Sequence, residues 1–223
     1  MLRLLALLAF LPAAQAQVPP SATEIAAYRG LFTAAAKGSV EEIRKFVAAG
    51  AKPDVRDGFA RMPLHVAAYA RQREAMRALV AAGADPNALE HDRYDTVTIA
   101  AVGNDLPTLE TALELGTSAK NVTSRYDGTA LIAAAHLGHA DVVRRLIRAG
   151  APLDHVNNLG WTVLIESIVL GDGGARHVET LKALVEAGAN VNLGDRSGAS
   201  PLALVRRRGY GEMVRILERA GAR

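Results

Sequence analysis

The chain of 223 residues contains no cysteine. That excludes disulfides, thiolate nucleophiles and cysteine-held metal, and leaves stability to the apolar core. Aromatic residues are scarce, at 4% of the chain, so the core cannot be built on large rings. Excess charge is lacking too. Lys and Arg number 26 against 23 Asp and Glu, a net +3, too near neutral to point to nucleic acid or an anionic membrane as the main partner. No Gly-x-Ser-x-Gly, His-Glu-x-x-His or dinucleotide fingerprint occurs, and no nucleophile, base and orienting group can be placed together, so an enzyme is not expected.

Long apolar runs are missing except at the start. MLRLLALLAFLPAAQAQ carries Arg3, an apolar run from Leu4 to Ala14 and the small-x-small triplet Ala14-Gln15-Ala16. The run falls short of the roughly 20 apolar residues that span a bilayer and has the layout of a secretory signal. Residues 1–16 are therefore predicted to be removed before Gln17, leaving a soluble, exported chain without a stable membrane anchor. No cysteine follows to carry a lipid. The periplasm is the expected destination, with release from the cell as the alternative.

Repetition is what the chain has in abundance. LVAAGADPN at 79–87 has near-copies at 46–54 (FVAAGAKPD), 112–120 (ALELGTSAK), 146–154 (LIRAGAPLD) and 184–192 (LVEAGANVN), and LERAGAR closes the chain at 217–223. Their glycines are Gly50, Gly83, Gly116, Gly150, Gly188 and Gly221, spaced 33, 33, 34, 38 and 33 residues apart. A fixed period in the range of about 20–50 residues marks a repeat architecture.

One unit shows the plan. In MPLHVAAYARQREAMRALVAAG, Pro63 suits the first position of a helix, where its missing N–H costs nothing. Ala67 and Ala68 leave room for a neighbouring helix, and Ala75, Met76, Leu79 and Val80 form one apolar stripe at helical spacing. Gly83 ends the second helix, and Ala-Asp-Pro-Asn leads into a turn or short finger. So short a helix pair has apolar surface on two sides and buries it by stacking on copies of itself.

PLHVAA (63–68), GHADVVRRLIRAGA (138–151) and EAGANVN (186–192) resemble the ankyrin repeat, whose usual opening is Thr-Pro-Leu-His. The resemblance covers 31–223 and implies an all-α solenoid of six helix-turn-helix units with finger loops. Thr129 and Thr162 keep the family's capping threonine, and Ser200 and Asp95 stand in for it. Met62 cannot, so the second unit is expected to lack that cap. His65 keeps the motif histidine and is expected to hydrogen-bond locally. At the start, Ser21-Ala-Thr-Glu24 has capping-box spacing and predicts a lengthened first helix, so that 17–30 combines a tail with the start of a capping helix. Arg206-Arg207-Arg208, Arg215, Glu218 and Arg219 would keep the far end wet.

Three features invite chemistry and are outweighed. His136 and His139 are three apart, but Gly138-His139 matches the ordinary turn of the resembled repeat and no third metal ligand is at hand, so no metal or other cofactor is expected. The fifth unit has five extra residues around GDGGAR (171–176), read as a flexible insertion loop because neither a P-loop nor a Ca²⁺ loop is matched. Asn121-Val-Thr123 has the form of a glycosylation acceptor.

The resemblance implies a protein partner, held by a monomer on the finger tips and the exposed side of each first helix. By position the finger contacts are Phe59, Arg61, His91, Arg93, Tyr94, Arg125, Tyr126, Asn158, Trp161 and Arg196. The helix contacts are Tyr69, Val102, His136, Val169 and Arg207. An extra residue near 125–128 blurs the fourth unit by one place. Arg61, Tyr94 and Trp161 are predicted to take equivalent finger places and to project along one exposed edge. Aromatic and arginine residues dominate binding hot spots, which favours this face. Exported bacterial proteins that the chain resembles serve in peroxide defence or toxin immunity, and these residues do not choose between them. An effector acting on a host or competitor protein is the second reading.

Overall fold

The computed structural model describes residues 18–223, so the predicted cleavage site between Ala16 and Gln17 lies outside the described residues. A short α1 (Ala22–Ala27) precedes six helix pairs: α2 (Leu31–Lys37) with α3 (Val40–Ala48), α4 (Pro63–Tyr69) with α5 (Arg73–Ala81), α6 (Thr96–Val102) with α7 (Leu106–Glu114), α8 (Ala130–His136) with α9 (Ala140–Arg148), α10 (Val163–Val169) with α11 (Ala175–Glu186), and α12 (Pro201–Arg208) with α13 (Gly211–Arg219). The first helices pack on one another in chain order and so do the second, which gives a two-layered solenoid. The strand content among the described residues is one antiparallel pair, β1 (Val122–Thr123) on β2 (Gly128–Thr129).

Alanine makes the stacking possible. The pairs Ala34-Ala35, Ala67-Ala68, Ala100-Ala101 and Ala134-Ala135 are buried between first helices, and their small side chains allow the close approach that a chain poor in aromatics needs. Met76, Leu109, Val143 and Leu146 on the second helices complete the continuous core. The six repeat glycines end the second helices at φ between 80° and 100°, a left-handed cap that costs glycine least.

At the first-helix starts Asp95, Thr129, Thr162 and Ser200 accept from Thr98, Ile132, Ile165 and Ala203 N–H at 2.8, 3.3, 3.3 and 3.3 Å. Met62 supplies no cap hydrogen bond. Instead His65 Nδ1 accepts the Met62 N–H at 2.9 Å while Nε2 donates to the Ala88 carbonyl of the next finger at 2.9 Å. Burial pushes this imidazole down to about 4, so it is neutral at pH 7 and ties two units together.

Two expectations are corrected. The Ser21–Glu24 capping box is present, but the lengthened helix is two helices. Gly30, at φ 57° and ψ −130°, turns the chain between α1 and α2. The fifth unit's insertion is not simply a loop either. Residues 170–174 connect α10 to α11, against three residues in the corresponding connection of the fourth unit, and α11 has 12 residues against 9 in α9. The connection is tied down: Tyr210 donates to the Gly171 carbonyl at 2.9 Å, and His177 bridges Asp172 at 2.8 Å and the His136 carbonyl at 2.9 Å. A methyl group at Gly171 would lie 2.1 Å from the Ser167 carbonyl oxygen, which explains glycine there.

Candidate partner-binding site

Each of the five fingers is folded on one acceptor side chain. Asp57, Glu90, Ser124, Asn157 and Asp195 accept the N–H groups two and four residues ahead, at 2.9 to 3.3 Å. The turn sets two classes of position. The residue two ahead sits at the tip, where Phe59, Tyr126 and Leu159 are 47%, 43% and 38% exposed. The residue four ahead turns in toward the first helices.

That register corrects the expected edge. Arg61 is 1% exposed and is no contact residue. Its guanidinium pairs with Asp57 at 2.8 Å, reaches Glu24 of α1 and lies 4.6 Å from the Phe59 ring centre. Tyr28 also donates to Asp57, at 2.8 Å. Burial alone would raise the Asp57 carboxyl, but hydrogen bonds from Tyr28, Arg61 and two backbone N–H groups hold it below the usual range. Tyr94 and Trp161 are half-buried against the core rather than projecting freely.

The fourth unit is also re-registered. Ser124 follows Gly116 by eight residues, where the other acceptors follow their glycines by seven. The extra residue therefore precedes the turn, beside β1, and does not lie in 125–128.

Of the other expected contacts, His91, Arg93, Arg125, Asn158, Arg196 and Arg207 are exposed, while Tyr69, Val102, His136 and Val169 are half-buried. Neighbouring fingers are linked through this set. His91 N–H donates to Phe59 O at 2.9 Å, Ser124 N–H to Arg93 O at 3.1 Å, Asn158 N–H to Tyr126 O at 2.9 Å, and Arg196 reaches Asn158 O. Arg93 pairs with Asp127 at 2.7 Å and Arg125 with Asp92 at 2.6 Å. Asn121 Nδ2 donates to Asn87 at 2.9 Å and Asp95 at 2.8 Å, so both amide hydrogens are engaged in holding its finger.

Three of the expected residues, Tyr94, Tyr126 and His136, converge on a narrow cleft of about 60 Å³ with Gly128, Asn157 and Glu166. Sequence reasoning missed Glu166. The signal was available: it occupies the first-helix place that holds Val66, Ile99, Ala133 and Leu204 in other units. Asn157 donates to its Oε2 at 3.1 Å, and His136 Nδ1 stands 3.9 Å from its Oε1. Burial pushes the Glu166 carboxyl up to about 7, opposed only by the Asn157 hydrogen bond. Burial, then the nearby His177, lowers the His136 imidazole. His139 is spent on the Ala101 carbonyl at 3.0 Å, and no cluster of three or more metal-ligating side chains occurs among the described residues.

The raised carboxyl has a consequence for stability. An unfolded glutamate ionises near 4.5, so the folded state resists ionisation between there and about 7. Stability is lost as pH rises through that window. Glu166→Gln removes the penalty, and is expected to match the parent at pH 4 and exceed it by about 3 kcal/mol at pH 8. Urea unfolding at both pH values checks this; a gap independent of pH contradicts it.

Stacked helix pairs that present fingers and first helices as one surface define a repeat-built interaction scaffold. A family model for ankyrin repeats in three copies matches residues 97–195, and a single ankyrin-repeat model matches 61–91. The chain belongs to the ankyrin-repeat family. It is 32% identical over 190 residues to YahD of Escherichia coli (strain K12), a relative described only by its ankyrin repeats, covering 85% of this chain and 94% of that one. An ankyrin repeat domain from Acinetobacter baumannii AYE superposes with a TM-score of 0.80 at 40% identity, over 86% of this chain and 98% of its own. The ankyrin repeat domain of Bcl-3 gives a TM-score of 0.79 at 27% identity, covering 88% and 87%. Among the described residues no helix is long and apolar enough to cross a membrane.

Proposed function

We propose that the protein is an exported, non-enzymatic interaction module of the periplasm, binding one protein partner as a monomer across its finger tips and first helices. Ankyrin repeats support the interaction role, and the layout of residues 1–16 supports export. The observation that carries the binding face is the exposure of Phe59, Tyr126 and Leu159 at three of the five finger tips. They are apolar, outside the core, and held rigid by the acceptor turn, so a partner that covers them gains burial at little cost in ordering.

The test is affinity capture from the periplasmic fraction with parent protein, Phe59→Ala and Tyr126→Ala. Each alanine variant is expected to cost about 1–3 kcal/mol of binding. Tyr126→Ala should cost no more than about 0.5 kcal/mol of stability, and Phe59→Ala about 1 kcal/mol, because its ring covers the Arg61 guanidinium. The recovered parent should begin at Gln17. Full capture by both variants would remove the tips from the interface.

A further inference from the structure

At the inward place four residues past the turn acceptor, the second, third and fifth units carry Arg61, Tyr94 and Trp161, and the fourth carries Gly128. The missing side chain leaves the 60 Å³ opening between fingers and first helices. Glu166 forms part of its lining and is 7% exposed. Its Oε2 is answered by Asn157 at 3.1 Å. Its Oε1 has no hydrogen-bond partner among the described residues, since His136 Nδ1 at 3.9 Å is out of reach. Oε1 keeps a little access to water at the mouth of this narrow opening, and a ligand that donates to it would replace that partial solvation with a direct charge-assisted hydrogen bond.

The surroundings choose the sign of that ligand. Tyr94 and Tyr126 line the opening, and electron-rich ring faces attract cations. Arg93 and Arg125 are held by Asp127 and Asp92, which leaves Glu90 and Glu166 as nearby carboxyls with no arginine partner among the described residues. The remaining titratable groups lining the cleft are His136 from α8 and the two phenols.

We propose that this cleft takes a lysine side chain of the protein partner, its ammonium seated beside Tyr94 and Tyr126 and donating to Glu166 Oε1. The proposal rests on the interaction-module reading and names the chemistry that reading would recognise. A slim methylene chain ending in a compact ammonium suits so narrow an opening better than a planar guanidinium. Because burial holds the Glu166 carboxyl near 7, ammonium binding and release of the Glu166 proton are linked.

The probe is n-butylammonium, with n-butanol as its neutral counterpart and n-propylguanidinium as the arginine mimic, titrated into the full chain from Gln17 and followed by NMR. Shifts are expected at Tyr126, His136 and Asn157, with a dissociation constant on the order of 1–10 mM. Affinity should rise roughly tenfold from pH 6 to pH 8, and saturation should lower the Glu166 carboxyl titration by about one unit. Glu166→Gln, which keeps the shape of the protonated carboxyl, should abolish the response, and Tyr126→Leu should weaken it several-fold. Equal shifts with butanol, an unchanged response in Glu166→Gln, or tighter binding of propylguanidinium would overturn the lysine assignment. A cleft indifferent to butylammonium, while partner capture still depends on Phe59 and Tyr126, sinks the subsite and leaves the interaction reading standing. Butylammonium bound at the cleft with no partner captured does the reverse.

Discussion

Arg61→Met is expected to lower the unfolding free energy by about 3 kcal/mol, near the low end of the range for breaking a buried ion pair. The low end applies because Glu24 and Asp57 keep partial access to water, with side chains 29% and 11% exposed. The apolar stem is preserved by methionine, so the loss isolates the guanidinium. Without it Asp57 keeps Tyr28 and its backbone donors but loses its cation, and α1 loses the link from Glu24 that spans 37 residues of chain. Limited proteolysis should therefore open the segment before α2 first, and urea unfolding should report the whole loss. The pH dependence follows from Asp57. Its folded carboxyl is held below its ordinary 3.8, so its contribution is present above that value and disappears as pH falls through the lowered one. The gap between parent and variant should accordingly narrow in acid. A loss no larger than the roughly 0.5 kcal/mol of an ordinary surface substitution would mean the ion pair contributes nothing net.

The helix pairs were legible because their signals are local and repeated. Gly50 and its five counterparts sit where a left-handed cap is required, Asp95, Thr129, Thr162 and Ser200 where a helix start needs an acceptor, and the paired alanines where helices must touch. The finger register was not legible, because the turn asks only for an acceptor oxygen. Asp57, Glu90, Ser124, Asn157 and Asp195 all supply one while sharing no common letter. Tyr126 at a tip and Tyr94 two places further round therefore look alike in sequence, although one faces water and the other the core. The GDGGAR stretch misled for a related reason. Its glycines suggested looseness, whereas Gly171 is required by the close approach of the Ser167 carbonyl and of His177. Glu166 was passed over although it is a carboxylate in an apolar column, and its meaning needed the neighbouring Gly128, which only the corrected register brings to the place of Arg61, Tyr94 and Trp161.

That register changes what alanine substitution along the fingers should do. Leu146 lies fully buried on α9, in the middle of the second-helix layer, and Leu146→Ala is expected to cost about 2–5 kcal/mol through lost transfer energy and the cavity left behind. Since each unit is held by its neighbours, a loss at this place weakens the stack on both sides rather than one end. Trp161→Ala should now fall near the leucine: the ring is half-buried against the core, so about 2 kcal/mol is expected, below the 3–5 kcal/mol of a fully buried tryptophan. Tyr126→Ala, at an exposed tip, should stay within about 0.5 kcal/mol of the parent. The ordering Leu146, Trp161, Tyr126 is thus a direct reading of the turn geometry, because two residues of chain separate an exposed tip from a place half-buried against the core. Thermal and urea unfolding of the three variants measures it. If Trp161→Ala melts with the parent while Tyr126→Ala unfolds, the inward and outward positions are reversed and the cleft at Gly128 loses its basis.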